Sequence, residues 1–304
     1  MTTFSVALWA TNLTPRLNGI GAWLAAVDEK MHEAKVGGAD LLVMPEYACV
    51  QWVSFAPAGI ATRAEAAWMA GQVDAALAGL RALVARHGIA LLAGSMPVKA
   101  AERMDGRLAN RAYLLLPDGR EVAQDKLCPT PSESDEQDWH IAGGDRVQVV
   151  EWRGLRLATA ICLDIELPAL GALLSGLDLD IILVPAMTET LAGYHRVFDC
   201  AKARAVETQA AVCAVGTIGA TPYLEKPETN VSGAAVYIPC EDALGATGTL
   251  ASLPPRDGAT DDGPLLILRD LPIDELRRMR AGAARVWRGA WSAAHVRVDD
   301  PRVR

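Results

Sequence analysis

Residues 159–168 read TAICLDIELP. The run before them, VQVVEWRGLRLATAIC, has the pattern of two strands joined around Arg153-Gly154, so Cys162 closes a strand. A helix is expected around 166–176, followed by the apolar strand DIILVP, and this return to strand-helix-strand alternation makes the segment an α/β unit. In open α/β sheets ligands gather at the carboxyl ends of strands. The residues around Cys162 therefore admit two readings, a packed core thiol or a nucleophile presented at a strand end.

Working outward, the N-terminal half begins with the strand FSVALWA. A helix with Ile20, Trp23, Leu24, Val27 and Met31 on one face follows, stopped at Gly37-Gly38. Next come the strand LLVMPE, one long helix from Arg63 to Gly88, and the strand IALLAGSM. The middle changes character: RAYLLLPDGREVAQDK is a hairpin around Pro-Asp-Gly rather than a crossover. After Cys162, a helix is expected over about 194–209, the strand AAVCAVG after it, and short strands near 232–239, 246–252 and 264–269. No Ser/Gly linker divides the halves, so residues 1–304 are expected to form one domain, with 283–304 as a C-terminal arm whose Trp287 and Trp291 need a surface to cover them.

Composition narrows the partners. With 51% apolar residues the chain can bury a sizeable core, and a formal net charge of −8 with no long basic block argues against nucleic acid or an anionic membrane. No apolar run approaches the ~20 residues a transmembrane helix requires, and MTTFSVALWA lacks the basic start of a signal peptide, so a cytoplasmic protein is expected. Cysteines 49, 128, 162, 200, 213 and 240 form no CxxC or Cys/His cluster, which suggests neither a metal site nor a disulfide framework. No glycine-rich loop opens a helix, so no nucleotide is implied, and no cofactor is expected. The five histidines are scattered on helices and loops and do not suggest a Cys-His pair.

Three strand ends carry chemistry: Glu46 after LLVMP, Lys126 after EVAQD and Cys162 after LRLATAI. A thiol becomes a useful nucleophile beside a base or an ammonium group. With MPEYA at Glu46, QDKLCPTPSE at Lys126 and ICLDIELP at Cys162, in that order, the chain resembles the nitrilase superfamily of carbon-nitrogen hydrolases along nearly its whole length. Residues 186–209 look like the amidase-like branch in which the hydrolase is sometimes fused to an acetyltransferase.

The resemblance implies a four-layer αββα sandwich, a homodimer or higher homo-oligomer, and a Glu46-Lys126-Cys162 triad acting on a small amide without a metal. It also implies a second carboxylate in the loop after the lysine. Glu133 is the candidate, and Glu136 stays open because its distance to Trp139 departs from the expected pattern. The Leu163 N–H is the expected oxyanion donor, and Trp139, Met187, Thr188 and Tyr194 are expected pocket walls. Asp164 and Glu166 are expected to fix the turn after the nucleophile, and Arg204 and Glu207 to pair on their helix. Hydrolysis of a small carboxamide or N-carbamoyl compound ranks first, with nitrile hydrolysis and acyl transfer as alternatives on the same triad. The rival of a different class is a non-catalytic protein that keeps the fold.

Overall fold

A computed structural model describes residues 3–99, 106–284 and 293–297. The first half runs β1 (Val6–Trp9), α1 (Ile20–Val36), β2 (Leu41–Val43), α2 (Thr62–Ala70), α3 (Val73–His87), β3 (Ala90–Lys99), β4 (Leu108–Leu115), β5 (Glu121–Asp125), α4 (Pro131–Ser134) and β6 (Ile141–Ala142). The second half runs β7 (Val149–Trp152), β8 (Leu155–Thr159), α5 (Pro168–Ser175), β9 (Ile181–Ala186), α6 (Leu191–Thr208), β10 (Ala211–Gly216), β11 (Gly219–Ala220), β12 (Thr229–Asn230), β13 (Ser232–Tyr237), β14 (Thr249–Arg256), β15 (Leu265–Leu268) and α7 (Ile273–Arg278).

Two mixed sheets form the centre. One has the order β15-β1-β2-β3-β4-β5 with β6 paired to β4, the other the order β14-β13-β10-β9-β8-β7. Period-2 alternation explains why they stack. Val6 and Leu8, Leu41 and Val43, Leu92, Ala112 and Leu114 point from the first sheet into a shared core with Leu155, Leu157, Ile182, Val212 and Ala214 of the second. The intervening Ala7, Trp9, Leu42, Leu91, Tyr113 and Leu115 point the other way, against Trp23, Val27 and Met31 of α1 and Leu77, Leu80 and Val84 of α3. On the far side, α5 and α6 cover the second sheet through Leu170, Leu174, Val197, Phe198 and Ala201. The result is the four-layer αββα sandwich.

Most elements lie where their periodicity places them, and both hairpins are present, with Leu114 opposite Val122 and Val150 opposite Leu157. The long helix expected over 63–88 is two helices. Gly71 ends α2, its N–H bonding Ala67 and Trp68 carbonyls, and the chain turns before Val73 begins α3. The apolar stripe continues across the break because both helices bury the same face, so periodicity alone reads through it. β3 runs on to Lys99 with a register irregularity between Leu92 and Ser95. The C-terminal arm falls largely outside the described residues, Trp287 and Trp291 with it.

That irregularity lets the first sheet approach the turn that carries Glu46. Gly94 sits there at φ +68°, where a Cβ would lie 2.0 Å from the Pro45 carbonyl oxygen. Gly59, at φ +73° with open space around it, provides the control. In urea unfolding, Gly94→Ala is expected to lose well over the ~1–2 kcal/mol that a left-handed L-residue costs by itself, and Gly59→Ala no more than that. Equal losses would show that the contact with Pro45 carries no strain.

Candidate active site

Glu46 and Lys126 follow β2 and β5 of one sheet, while Cys162 follows β8 of the other. All three chain ends reach the same end of the sandwich. Glu46, Lys126 and Cys162 are 2%, 1% and 6% exposed, and all line one cavity. Lys126 Nζ donates to Glu46 Oε1 at 2.8 Å and to Glu133 Oε2 at 2.6 Å. The ammonium thus bridges two buried carboxylates. The Cys162 thiol lies 3.6 Å from the Met187 carbonyl oxygen, and the N–H of the same Met187 donates to Glu46 Oε2 at 3.0 Å, so one residue meets both groups.

Local structure explains how each group is held. Cys162 has φ 49°, an unusual left-handed conformation for a side-chain-bearing residue, at the switch from strand to the 3-10 turn Cys162–Glu166. Asp164 fixes that switch: its carboxylate accepts from Ile161 N at 3.2 Å, from Leu127 N at 3.1 Å and from Cys128 N at 2.8 Å. One buried side chain therefore ties the nucleophile's turn to the residues just after Lys126. The expected turn-fixing role extends across two loops. Arg204 completes the support by donating to the Ile165 carbonyl at 3.2 Å while pairing with Glu207 at 2.6 Å.

Glu133 is the carboxylate brought to the lysine, and Glu136 is exposed. A capping box places it: the Thr130 side chain accepts from Glu133 N, and Glu133 Oε2 accepts from Thr130 N at 2.7 Å, with Pro131 opening the short α4. Glu133 Oε1 takes the Tyr47 hydroxyl at 2.8 Å and Asn110 Nδ2 at 3.1 Å. Asn110 Nδ2 also reaches Glu46 Oε1 at 2.9 Å, so a single amide spans both carboxylates.

Electrostatics separate the two acids. Burial pushes the Glu46 carboxyl above its ordinary range, only partly offset by Lys126, and the charge of Glu133 pushes the same way. Burial also pushes Glu133 up, but Lys126, the Thr130 N–H and the Tyr47 hydroxyl pull it below the ordinary range. Burial would lower Lys126, but Glu46 and Glu133 together hold it well above an ordinary lysine. The Cys162 thiol is raised by burial first and by Glu46 second. At rest the sulfur keeps its proton.

Of the expected walls, Met187 and Trp139 line the cavity. Trp139 packs edge-on to Tyr47 at 4.8 Å and its Nε1 donates to Glu65 at 3.3 Å. Thr188 and Tyr194 do not line it, which corrects that expectation. The Thr188 hydroxyl is engaged by the Val231 carbonyl at 2.7 Å, and Tyr194 stacks on Phe198 at 4.2 Å within the core between α6 and the sheet. Leu163 is not among the residues that line the cavity; its N–H sits in the first turn of the 3-10 segment, where donors lack a partner inside the helix. Sequence reasoning missed Tyr47, Asn110, Glu65, Asp138 and Glu228. Of these, only Tyr47 lay inside a quoted motif. Among the described residues no His/Cys/Asp/Glu group could hold a metal ion, and no helix is long and apolar enough to cross a membrane.

The carbon-nitrogen hydrolase family pattern matches residues 10–239, and the chain belongs to that family. It is similar to a probable hydrolase, YhcX, of Bacillus subtilis (strain 168), 30% identical over 198 residues, covering 65% of this chain and 36% of the relative. It is also similar to an (R)-stereoselective amidase of a Pseudomonas species, 33% identical over 121 residues, covering 40% of this chain and 42% of the relative. The matched part thus spans well under half the length of either curated relative. A crystal structure of an amidase from a Nesterenkonia species superposes with a TM-score of 0.67 at 25% identity, covering 91% of this chain and 94% of that one.

Glu133→Gln is expected to lower kcat by about 10²-fold or more, the scale of a lost positioned acid-base or electrostatic group. Glu136→Gln should stay near wild type. A reversal, read from initial rates at saturating amide, would reassign the second carboxylate.

Proposed function

We propose that the protein hydrolyses the carbon-nitrogen bond of a small carboxamide or N-carbamoyl compound through a Cys162 thioester. The observation that carries this reading is the gathering of Cys162, Glu46, Lys126 and Glu133 around one cavity, with the ammonium fixed by the two carboxylates. Cys162 sulfur attacks the amide carbon as Glu46 takes the thiol proton. Glu46 then delivers it to the departing amine and, in the second half, takes a proton from the water that cleaves the thioester.

Both tetrahedral intermediates carry an oxyanion. An ammonium has three donors, and Lys126 directs one to Glu46 and one to Glu133, so a third remains for that oxygen. The Leu163 N–H is the proposed second donor. Loss of one such donor costs roughly 2.7–4 kcal/mol of transition-state stabilisation in other enzymes. Glu133, Tyr47 and Asn110 act through Lys126 and Glu46 and are positioning residues.

Amide is preferred to nitrile in this reading, because a nitrile leaves nitrogen to be protonated where two donors are arranged for an anionic oxygen. Relatives described as amidases support the same choice. Thr188 and Thr190 do not contribute to that preference: the first bonds Val231 and the second caps α6 by accepting from Gly193 N at 3.1 Å. Assembly as a homodimer in the cytoplasm belongs to the same proposal. It is supported by exposed Leu173 and Leu191 at 54% and 51%, and by six cysteines that are all free thiols.

Three measurements test this. Cys162→Ala should abolish turnover and the acyl adduct seen by intact mass, while Cys49→Ala and Cys213→Ala, at buried positions away from the cavity lining, keep most activity. For amide and nitrile pairs sharing one acyl skeleton, kcat/KM for the amide should exceed that for the nitrile by at least about 10²-fold. Equal rates on the nitrile would make this a nitrilase. Glu46 must be ionised to act as base, and its carboxyl is raised above the ordinary 4.5. The acid limb of kcat/KM should therefore fall away at a pH above 4.5 as Glu46 takes up a proton, and a limb lying below that value would exclude Glu46 as the base.

A further inference from the structure

The cavity above the triad is strongly and asymmetrically charged. Six carboxylates line it, Glu46, Glu65, Glu133, Asp138, Glu189 and Glu228, against the two ammonium groups of Lys126 and Lys226. Glu46, Glu133 and Lys126 belong to the reaction and satisfy one another. The remaining four acids come from separate elements: Glu65 from α2, Asp138 from the loop after α4, Glu189 from the loop after β9, and Glu228 from the segment before β12. Converging from four places, they are not the solvated face of one helix.

Their partners are neutral. Glu65, 1% exposed, accepts from Trp139 Nε1 and from Glu225 N at 3.1 Å, and among the described residues no lysine or arginine pairs with it. Asp138 accepts from the Ser132 hydroxyl at 3.0 Å. Glu189 and Glu228 line the same cavity, and the like charge of Glu189 acts on Glu228. Lys226 does not relieve them: its charge acts on Glu225, whose carboxylate already takes the Thr62 N–H and hydroxyl. Burial first, then Glu189, Asp138 and Glu65, push Glu228 up to about 7, which is what a site short of one positive charge does to its least favoured acid.

We infer that the substrate carries a cation, a primary ammonium or guanidinium on the part of the molecule remote from the scissile amide, held by Glu228, Glu189, Asp138 and Glu65 while the amide meets Cys162. The inference rests on the hydrolase reading above and narrows it to amides that carry a cationic group remote from the scissile bond. An anionic acyl group would enter a cavity where six carboxyl groups already face two ammonium groups. A neutral chain would leave Glu65 buried without a counter-charge. A cation supplies the missing charge and accounts for why four separate elements each contribute an acid.

The experiment compares three amides of matched length with wild-type protein: δ-aminovaleramide, valeramide and glutaramate. The cationic amide should exceed the neutral one by at least about tenfold in kcat/KM, with the anionic one below both, and added salt should shrink the spread. In Glu228→Gln and in the exposed Glu189→Gln, the cationic-to-neutral ratio should fall about tenfold, through KM rather than kcat. Calorimetry on Cys162→Ala with the same three compounds reads recognition without chemistry. Hydrolysis with valeramide or glutaramate preferred, or a ratio unchanged in both variants, overturns the inference and leaves the hydrolase reading standing. Selective binding of δ-aminovaleramide by Cys162→Ala with no turnover of any amide by wild type sustains the cation site and overturns the hydrolase reading.

Discussion

A lysine buried between two glutamates sets the terms for everything at this end of the sandwich. Withdrawing three charges from water costs several kcal/mol per ion, a cost recovered only when geometry and additional hydrogen bonds are good. Here they are supplied from four directions: Asn110 from β4, Tyr47 from the turn after β2, the Thr130 backbone and the Met187 backbone. One positive charge cannot fully serve two negative ones, so the carboxylates divide. Glu133, with Thr130 and Tyr47 on it, stays ionised, and Glu46, nearer the thiol, is left in the position where a proton is welcome. Environments that push two acids apart assign their roles.

This arrangement demands that loops from two different sheets keep register to a fraction of an ångström. The fold meets the demand with backbone devices rather than side-chain bulk. Asp164 binds three N–H groups belonging to two loops, so the turn at Cys162 cannot shift without disturbing the residues after Lys126. Gly94 lets β3 come against Pro45, immediately before Glu46. Tyr47 and Cys162 both adopt positive φ beside the cavity, a local strain that the packed sandwich beneath them sustains.

The layers were legible in the sequence because alternation along β1 to β4 distinguishes the inter-sheet face from the helix face residue by residue. Glu46, Lys126, Cys162 and Glu133 were legible because each sits in a short contiguous motif. Asn110 was not, since it stands one residue before the run RAYLLL that reads as a strand, and its importance comes only from pairing across space. Glu65 is a single acid on a helix that otherwise buries alanine and methionine, and nothing local says that Trp139 and Glu225 will meet it. Tyr194 went the other way: it has the size and polarity of a pocket wall, but helical phase turns it onto Phe198 and into the core. The break at Gly71 was hidden because the apolar stripe on either side of it is continuous.

The proton economy of the floor follows from these placements. A cysteine activated by a neighbouring cation rests as a thiolate, but Cys162 is raised by burial and by Glu46, with Lys126 only partly opposing. In the proposed reaction its proton stays on sulfur until a carbonyl carbon arrives, and Glu46, held by the N–H of the Met187 whose carbonyl meets the thiol, then receives it. The same raised carboxyl that would make Glu46 a willing acceptor in the proposed reaction would make it, once protonated, a competent donor to the departing nitrogen. Lys126 takes no part in this transfer, because the two carboxylates that raise it keep it charged throughout. It can hold an oxyanion at every stage without surrendering a proton to it. Division of labour between a movable proton on Glu46 and a fixed charge on Lys126 is what the second carboxylate secures: without Glu133 beside it, the ammonium would have Glu46 alone to answer, and the base would lose its readiness to take the thiol proton.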